Sequence, residues 1–376
     1  MRVSLVCFDR QGSPKPTLNS EQVEAIFSDL TGAVGLDLSR STPLSENANV
    51  CFVGVILNGE FEVAPGEARK MLASPRNVNG RLNSDVLRPT LNGDDFNGER
   101  SEKWVVDFGP SMTLEEAVFY ELPFAYINQR VRPFRQRRGD DGSFIMRAKS
   151  ERENWWRHAR ARPAMRGALG NVERYIATPM VSSYRTFGFL PGSVLPDQKL
   201  VVFAREDFVT LGILQSKFHE TWTRATCSWI GSGNDVTYSN TAVFLTFPFP
   251  AGLTPDIPAA AFADNPRAQA IAVAAVRLNE LRENWLNPAD LIVREPEVVP
   301  GYPDRILPRD KAAAKELKKR TLTNLYNARP QWLANAHAAL DQAVAEAYGW
   351  GDEWRAGELG DDEILARLFA LNQARA

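Results

Sequence analysis

Between Arg130 and Arg166 the chain gathers twelve basic residues: Arg130, Arg132, Arg135, Arg137, Arg138, Arg147, Lys149, Arg152, Arg157, Arg160, Arg162 and Arg166. Four acids, Asp140, Asp141, Glu151 and Glu153, offset them, leaving a local +8 in a protein of net charge −2. Eleven of the twelve are arginine, whose planar fork suits phosphate oxygens and guanine edges. An otherwise acidic chain that concentrates its arginines in this way implies a surface for a polyanion. The competing reading is a solvated charged face above a core anchored by Trp155 and Trp156, and charge alone divides the two evenly. Packing is the favoured role for the two tryptophans, with base stacking the alternative.

Composition narrows the class. A length of 376 residues predicts two or three domains. The 44% hydrophobic and 24% charged content is that of an ordinary globular protein. No apolar run approaches the roughly 20 residues that span a bilayer, and MRVSLVCFDRQ lacks a signal-peptide pattern. Cys7, Cys51 and Cys227 are too scattered for a disulfide framework or a zinc knuckle. These features predict a cytoplasmic protein with reduced thiols and no membrane partner.

The elements that must position the basic tract are of mixed type. CFVGVIL, KWVVDFG, RYIATPMVSSYRTFGFLP and KLVVFA are β-branched or aromatic runs separated by Gly, Pro and Asn, and they read as strands. VSLVCF at the start reads as a lone buried strand. TLEEAVFYEL and SEREN read as helix starts with capping boxes, Thr113 with Glu116 and Ser150 with Glu153. YSNTAVFLTFPFP reads as a structural strand and exit turn. Residues 251–266, AGLTPDIPAAAFADNP, read as a linker. Beyond them, RAQAIAVAAVRLNELRENWL, KAAAKELKKRTLTNLY, WLANAHAALDQAVAEAY and DDEILARLFALNQARA carry apolar residues at helical spacing. They predict a bundle of about four helices with a proline-rich loop, Pro296 to Pro308, between the first two. The fold class is therefore α+β, strand-rich first and helical last.

Several chemistries find no residues. A methyl-donor site needs a Gly-rich turn after a strand, and amino methylation needs an Asn/Asp-Pro-Pro-aromatic loop. Asn265-Pro266 and Asn287-Pro288 continue into Arg267 and Ala289 instead. Gly231-Ser232-Gly233 has no phosphate-cradling sequel and reads as a loop. Pro303-Asp304 with Glu316-Leu317-Lys318 formally matches a metal-nuclease string, but its second half lies in a strong helix former. His158, His219 and His337 are isolated and read as structural or surface residues, and no metal set is expected.

LASPRNVNGRLNSDVLRPTLNGDDF, YSNTAVFLTFPFP, KKRTLTNLYNARPQWLANAHAALDQAVAEAYGW and DDEILARLFALN occur in this order. Together they resemble the C-terminal half of the MmeI-like adenine-N6 DNA methyltransferases of restriction–modification systems. The resemblance runs from about Arg2 to Asn372, with Thr90 and Leu245 departing from the expected aromatic and acidic residues. It implies the end of a methyltransferase domain and a linker at 1–44, a DNA target-recognition domain at 45–255, and a helical C-terminal domain at 256–376. It also implies a member without its catalytic portion. The chain itself would then hold no cofactor, S-adenosylmethionine belonging to the missing methyltransferase domain.

On this resemblance the partner is double-stranded DNA. Arg135, Arg137, Arg138, Arg157, Arg160, Arg162 and Arg166 are expected on phosphates, the sequence-blind part of binding. Ser182, Ser183, Tyr184 and Arg185 are expected to read base edges, Arg185 gripping guanine O6 and N7. The RNVNGRLN loop, with Arg76, Asn77, Asn79, Arg81 and Asn83, is the second candidate reader. A polar strand facing water and a loop capping its own turns are the respective alternatives. A further alternative is a specificity or interaction subunit that docks to a separate methyltransferase or nuclease through its helical bundle.

Overall fold

The structure is a computed structural model that describes residues 16–18, 21–23, 36–99, 101–230 and 235–376. The expected VSLVCF strand and the Gly231–Gly233 loop lie outside these residues. Eleven strands matter for the first part: β1 (Cys51–Val53), β2 (Glu62–Val63), β3 (Leu87–Leu91), β4 (Lys103–Val106), β5 (Arg174–Pro179), β6 (Val181–Ser182), β7 (Gly188–Pro191), β8 (Leu195–Pro196), β9 (Leu200–Phe203), β10 (Ser228–Ile230) and β11 (Asp235–Thr237). One sheet runs β8-β3-β4-β2, a second β1-β9-β5-β7, and a small third β10-β11-β6. Leu200 to Phe203 and Tyr175 to Ala177 are entirely buried. That is why KLVVFA and RYIA are continuous apolar runs: residues pointing to either face of the second sheet meet core.

The register of that sheet decides what its ends present. β1 and β5 are both antiparallel to β9, with Val53 opposite Val201 and Pro179 opposite Leu200. The chain therefore leaves β1 and β5 at the same end, separated only by β9, about 10 Å across two strand spacings. Beyond β1, Gly54 accepts from Arg162 Nε at 3.1 Å and Ile56 bridges Arg160. Beyond β5 lies the Ser182–Tyr184 segment. Part of the basic tract and the first candidate reader thus emerge from one edge of one sheet.

The helices that matter for the site and the C-terminal region are α1 (Glu121–Arg135), α2 (Phe208–Gln215), α3 (Lys217–Thr226), α4 (Pro266–Leu286), α5 (Leu322–Ala328), α6 (Gln331–Tyr348) and α7 (Asp361–Arg375), among other short helices such as Pro65–Leu72. Thr113 and Glu116 form the expected capping box, Glu116 N donating to Thr113 Oγ1 at 3.2 Å and Thr113 N to Glu116 Oε2 at 2.8 Å. Ser150 does not: that short helix begins at Lys149 behind Ala148, so Ser150 sits inside it. KAAAKELKKRTLTNLY is two helices, because Thr321 Oγ1 accepts from Asn324 N and starts α5 afresh. The proline-rich loop is the tip of a hairpin, Ile292–Glu295 paired with Arg305–Pro308. YSNTAVFLTFPFP is not a strand but a π-helical turn at Asn240–Phe244. Its Phe244, Phe247 and Phe249 are fully buried, and this aromatic spacing imitates a strand's.

The compositional change near residue 255 does not interrupt the packing, because one hydrophobic core runs from Val50 to Leu368. Gly212 shows how closely α2 meets the C-terminal helices. A Cβ there would lie 2.7 Å from Ile271 Cγ2 and 3.1 Å from Leu340 Cδ1. Asn372 of α7 is fully buried. Its carboxamide accepts from Thr42 N at 3.0 Å and donates to Thr42 O at 2.8 Å and Thr246 O at 2.7 Å. One side chain thus ties the last helix to two distant loops. Asn372→Ala should cost about 2–4 kcal/mol, since each orphaned buried group costs roughly 1–3. Urea unfolding should show a lower midpoint at unchanged slope, and an unmoved midpoint would contradict this role.

Candidate nucleic-acid interface

The arginines of the tract divide by what their guanidiniums touch. Arg135, at the end of α1, is 0% exposed and, among the described residues, forms no salt bridge with a carboxylate. Its Nε donates to Asn58 O at 3.1 Å, and its amino groups donate to Leu57 O at 2.7 Å and Arg157 O at 2.6 Å. Longer contacts reach Asn154 O and Trp155 O. Burial lowers its pKa to about 10, so it stays charged at neutral pH. The expectation that Arg135 meets phosphate is corrected: it is an internal clamp.

Arg157 and Arg166 are also committed to the fold. Arg157 donates to Met112 O at 2.7 and 2.9 Å and to Ser111 O at 3.1 Å. Arg166 grips Asp107 with both amino groups, at 2.7 and 2.9 Å, a bidentate pairing. Asp107 is buried, with Arg88 Nε at 3.6 Å and His158 Nδ1 at 3.7 Å. Burial pushes its pKa up, but the positive charges of His158, Arg166 and Arg88 prevail and bring it to about 2. His158, with Nε2 at 2.8 Å from Val106 O, has its own pKa lowered chiefly by burial. It is therefore neutral near pH 7, and the two arginines are what hold Asp107 ionised there. Trp155 and Trp156 are buried, Trp156 donating to Met112 O at 3.0 Å, so both are packing anchors.

The others face outward. Arg130, Arg132, Arg137, Arg138, Arg147 and Arg160 are exposed, and Arg162 is half-buried with its Nε on Gly54 O. Arg137 and Arg138 open a tight hairpin. Ile145 N donates to Arg137 O at 3.0 Å and Gly139 N to Ser143 O at 2.8 Å. Gly142 takes φ of 77° at the turn, a conformation that glycine adopts without strain. Phe144 lies between the guanidiniums of Arg138 and Arg152, 4.0 and 4.6 Å from its ring, which stiffens the hairpin.

The two candidate readers are placed differently. In the first, Ser183 is exposed and donates to Asp235 Oδ1 at 2.6 Å. Ser182 Oγ donates to Tyr184 O at 2.7 Å and accepts from Asn97 Nδ2 at 2.8 Å. The Tyr184 hydroxyl donates to Asn327 Oδ1 at 2.9 Å. Arg185, against expectation, turns inward: it is 8% exposed and donates to Thr178 Oγ1, Pro179 O and Val236 O. Burial lowers its pKa to about 10. In the second reader, Asn83 is buried and donates to Met71 O at 2.8 Å. Asn77 donates to Arg81 O and Asn83 Oδ1, and Asn79 Oδ1 accepts from Arg81 N. Arg76 donates to Gly80 O. The loop largely caps itself, leaving Asn79 and Arg81 exposed. It precedes β3, whereas the helix carrying Asn97 follows β3, so the readers sit at opposite ends of that strand, roughly 14 Å of backbone apart.

Residues 123–251 match the family profile described as MmeI, target recognition domain. That stretch is thus similar to an MmeI target-recognition domain. The matched span begins in α1 and ends after Phe249, so it holds the basic tract and the Ser182–Tyr184 segment but not the Arg76–Asn83 loop. A solved structure of the Type IIL restriction–modification enzyme MmeI in complex with DNA shares the fold, with TM-score 0.59 and 18% identity. The match covers 94% of this chain and 39% of that one, so the chain spans well under half the length of that enzyme. A comparison with curated proteins finds no match. Sequence reasoning did not single out Asn327, because its contact with Tyr184 joins positions 143 residues apart. No local pattern announces such a contact.

Arg135→Met should destabilise the fold by about 3–5 kcal/mol, since it strips a set of inward-facing carbonyls of their donor. Arg137→Gln should stay within about 0.5. Equal effects in urea unfolding would contradict the division into clamp and free arginines. For Asp107 the folded pKa lies below the unfolded value of about 3.9. Its contribution, about 2 kcal/mol, is therefore complete above pH ~4 and lost as the pH falls toward 2. Asp107→Asn should remove that part of the acid sensitivity, and an unchanged acid limb would show that Asp107 is not ionised in the fold.

Proposed function

We propose that the chain is the sequence-specific, duplex-DNA-binding portion of an MmeI-like adenine-specific DNA methyltransferase of a restriction–modification system. The observation that carries the reading is the division within the matched span: some arginines are buried in the fold, while six others remain on its surface, Arg160 among them at the sheet edge from which the polar segment emerges. In this reading Arg137, Arg138 and Arg160 grip phosphates, with Arg130, Arg132 and Arg147 extending the field. Arg162 adds what its exposed half allows. Ser182, Ser183 and Tyr184 supply base contacts in the major groove, with Arg185 bracing them from inside. Asn79 and Arg81 are secondary candidates at the far end of β3.

Methyl transfer to a flipped adenine would then be the work of a methyltransferase domain or subunit acting with this chain. In this reading S-adenosylmethionine belongs to that active site. Asn265-Pro266, the nearest approach to a base-holding loop, opens α4, with Asn265 Oδ1 accepting from Arg267 N and Ala268 N.

The test is the salt dependence of duplex binding, measured by fluorescence anisotropy. Affinity should fall with a log–log slope of several units. Replacing Arg137, Arg138 and Arg160 together by Gln should flatten it by roughly two to three units on every sequence, at about 0.9 per phosphate. An unchanged slope would return these arginines to a solvated face, and absence of duplex binding would overturn the reading.

A further inference from the structure

Tyr184 turns out of its own segment onto α5, in the C-terminal helical region. Its ring lies 5.8 Å from that of Tyr326, tilted by 39°, and its hydroxyl holds Asn327 Oδ1 at 2.9 Å. Tyr326 is fixed from behind by His337 of α6, hydroxyl to Nε2 at 2.9 Å. One turn earlier on α5, exposed Thr323 donates to Asn97 O at 3.2 Å. Asn97 holds the other side of the segment, donating to Ser182 Oγ at 2.8 Å and accepting from Thr186 Oγ1 at 2.7 Å. Thr323 and Asn327 are four residues apart, so they share a helix face. That face borders the Ser182–Tyr184 segment along its length.

Asn327 is exposed. With one lone pair of its carboxamide oxygen taken by Tyr184, it keeps a second acceptor site and both N–H donors. A donor beside an acceptor on one planar group is what the adenine N7 and N6 edge accepts in the major groove. Arg329 follows α5 on the surface, suited to a flanking phosphate; Lys318 and Lys319 precede α5, paired with Glu99 at 3.5 Å and Glu316 at 3.6 Å. Resting on the DNA-recognition reading above, we propose that α5 is part of the reading surface. Asn327, oriented by Tyr184, determines specificity for an adenine in the recognised site.

The experiment uses the full chain. A duplex is first selected from a random pool, and its single-base-pair variants and random duplex are then titrated against wild type, Asn327→Ala, Asn327→Asp, Tyr184→Phe and Ser183→Ala. Asn327→Ala should lower the preference for one A·T pair by about ten-fold or more and leave the ranking at other positions. Tyr184→Phe should weaken preference at the same pair by a smaller factor, since it releases the carboxamide without removing it. Asn327→Asp accepts but no longer donates, so its preference there should move toward a pair presenting the cytosine amine. If Ser183→Ala changes discrimination while Asn327→Ala does not, this inference fails and the broader reading stands. Loss on all duplexes alike would make Asn327 a general contact and overturn the inference. A wild-type chain that enriches no duplex takes both readings down together.

Discussion

An arginine cannot shed its charge by losing a proton at any ordinary pH, so each one placed inside a protein needs its own acceptors. Among the described residues, Arg135 meets that constraint with hydrogen bonds to backbone oxygens. Its guanidinium draws together Leu57 and Asn58, beyond β1, with Asn154, Trp155 and Arg157. The clamp joins the end of α1 to the chain beyond β1 and to the later part of the basic tract. The hairpin of Arg137 and Arg138 begins immediately after it, and the Arg157–Arg162 strip lies across Gly54 and Ile56. Remove the clamp and the outward arginines lose their common frame.

Arg185 repeats the device at the exit of β5, donating to Pro179 O and Val236 O beneath the Ser182–Tyr184 segment. Arg205 does so at the start of residues 251–266, with Pro255 O at 2.9 Å and Ile257 O at 2.7 Å. In each case a cation collects carbonyls from separate segments and ties them together, Arg205 also pairing with Asp207 at 2.8 Å. Rigidity matters for recognition, because a base contact exists only in register whereas phosphates repeat along any duplex. In the proposed reading the carbonyl-bound arginines serve specificity indirectly, while the outward ones serve affinity.

How far the sequence reveals this differs from element to element. The strands of the second sheet were legible because burial on both faces leaves unbroken apolar runs, and α4, α6 and α7 because their apolar residues recur at helical spacing. Asn240–Phe244 misled because a buried aromatic series in a π-helical turn looks like one in a strand. Ser150 misled because a capping pattern needs an extended residue at the cap, and there the chain is already helical. The charge of the tract was plain, but which arginines face inward was not: Arg135 and Arg137 differ only in the carbonyls that tertiary folding brings near. Arg185 was legible as an arginine beside polar residues and illegible in its direction. Asn83 was misplaced for the same reason, its acceptor being Met71 O across the loop.

The claim most exposed to test is that one surface joins the outward arginines, the Ser182–Tyr184 segment and α5. Hydrogen exchange of the chain with and without a saturating selected duplex measures this directly. Protection on binding should appear together in residues 136–162, 181–184 and 322–328. Protection confined to residues outside these three segments would contradict the account.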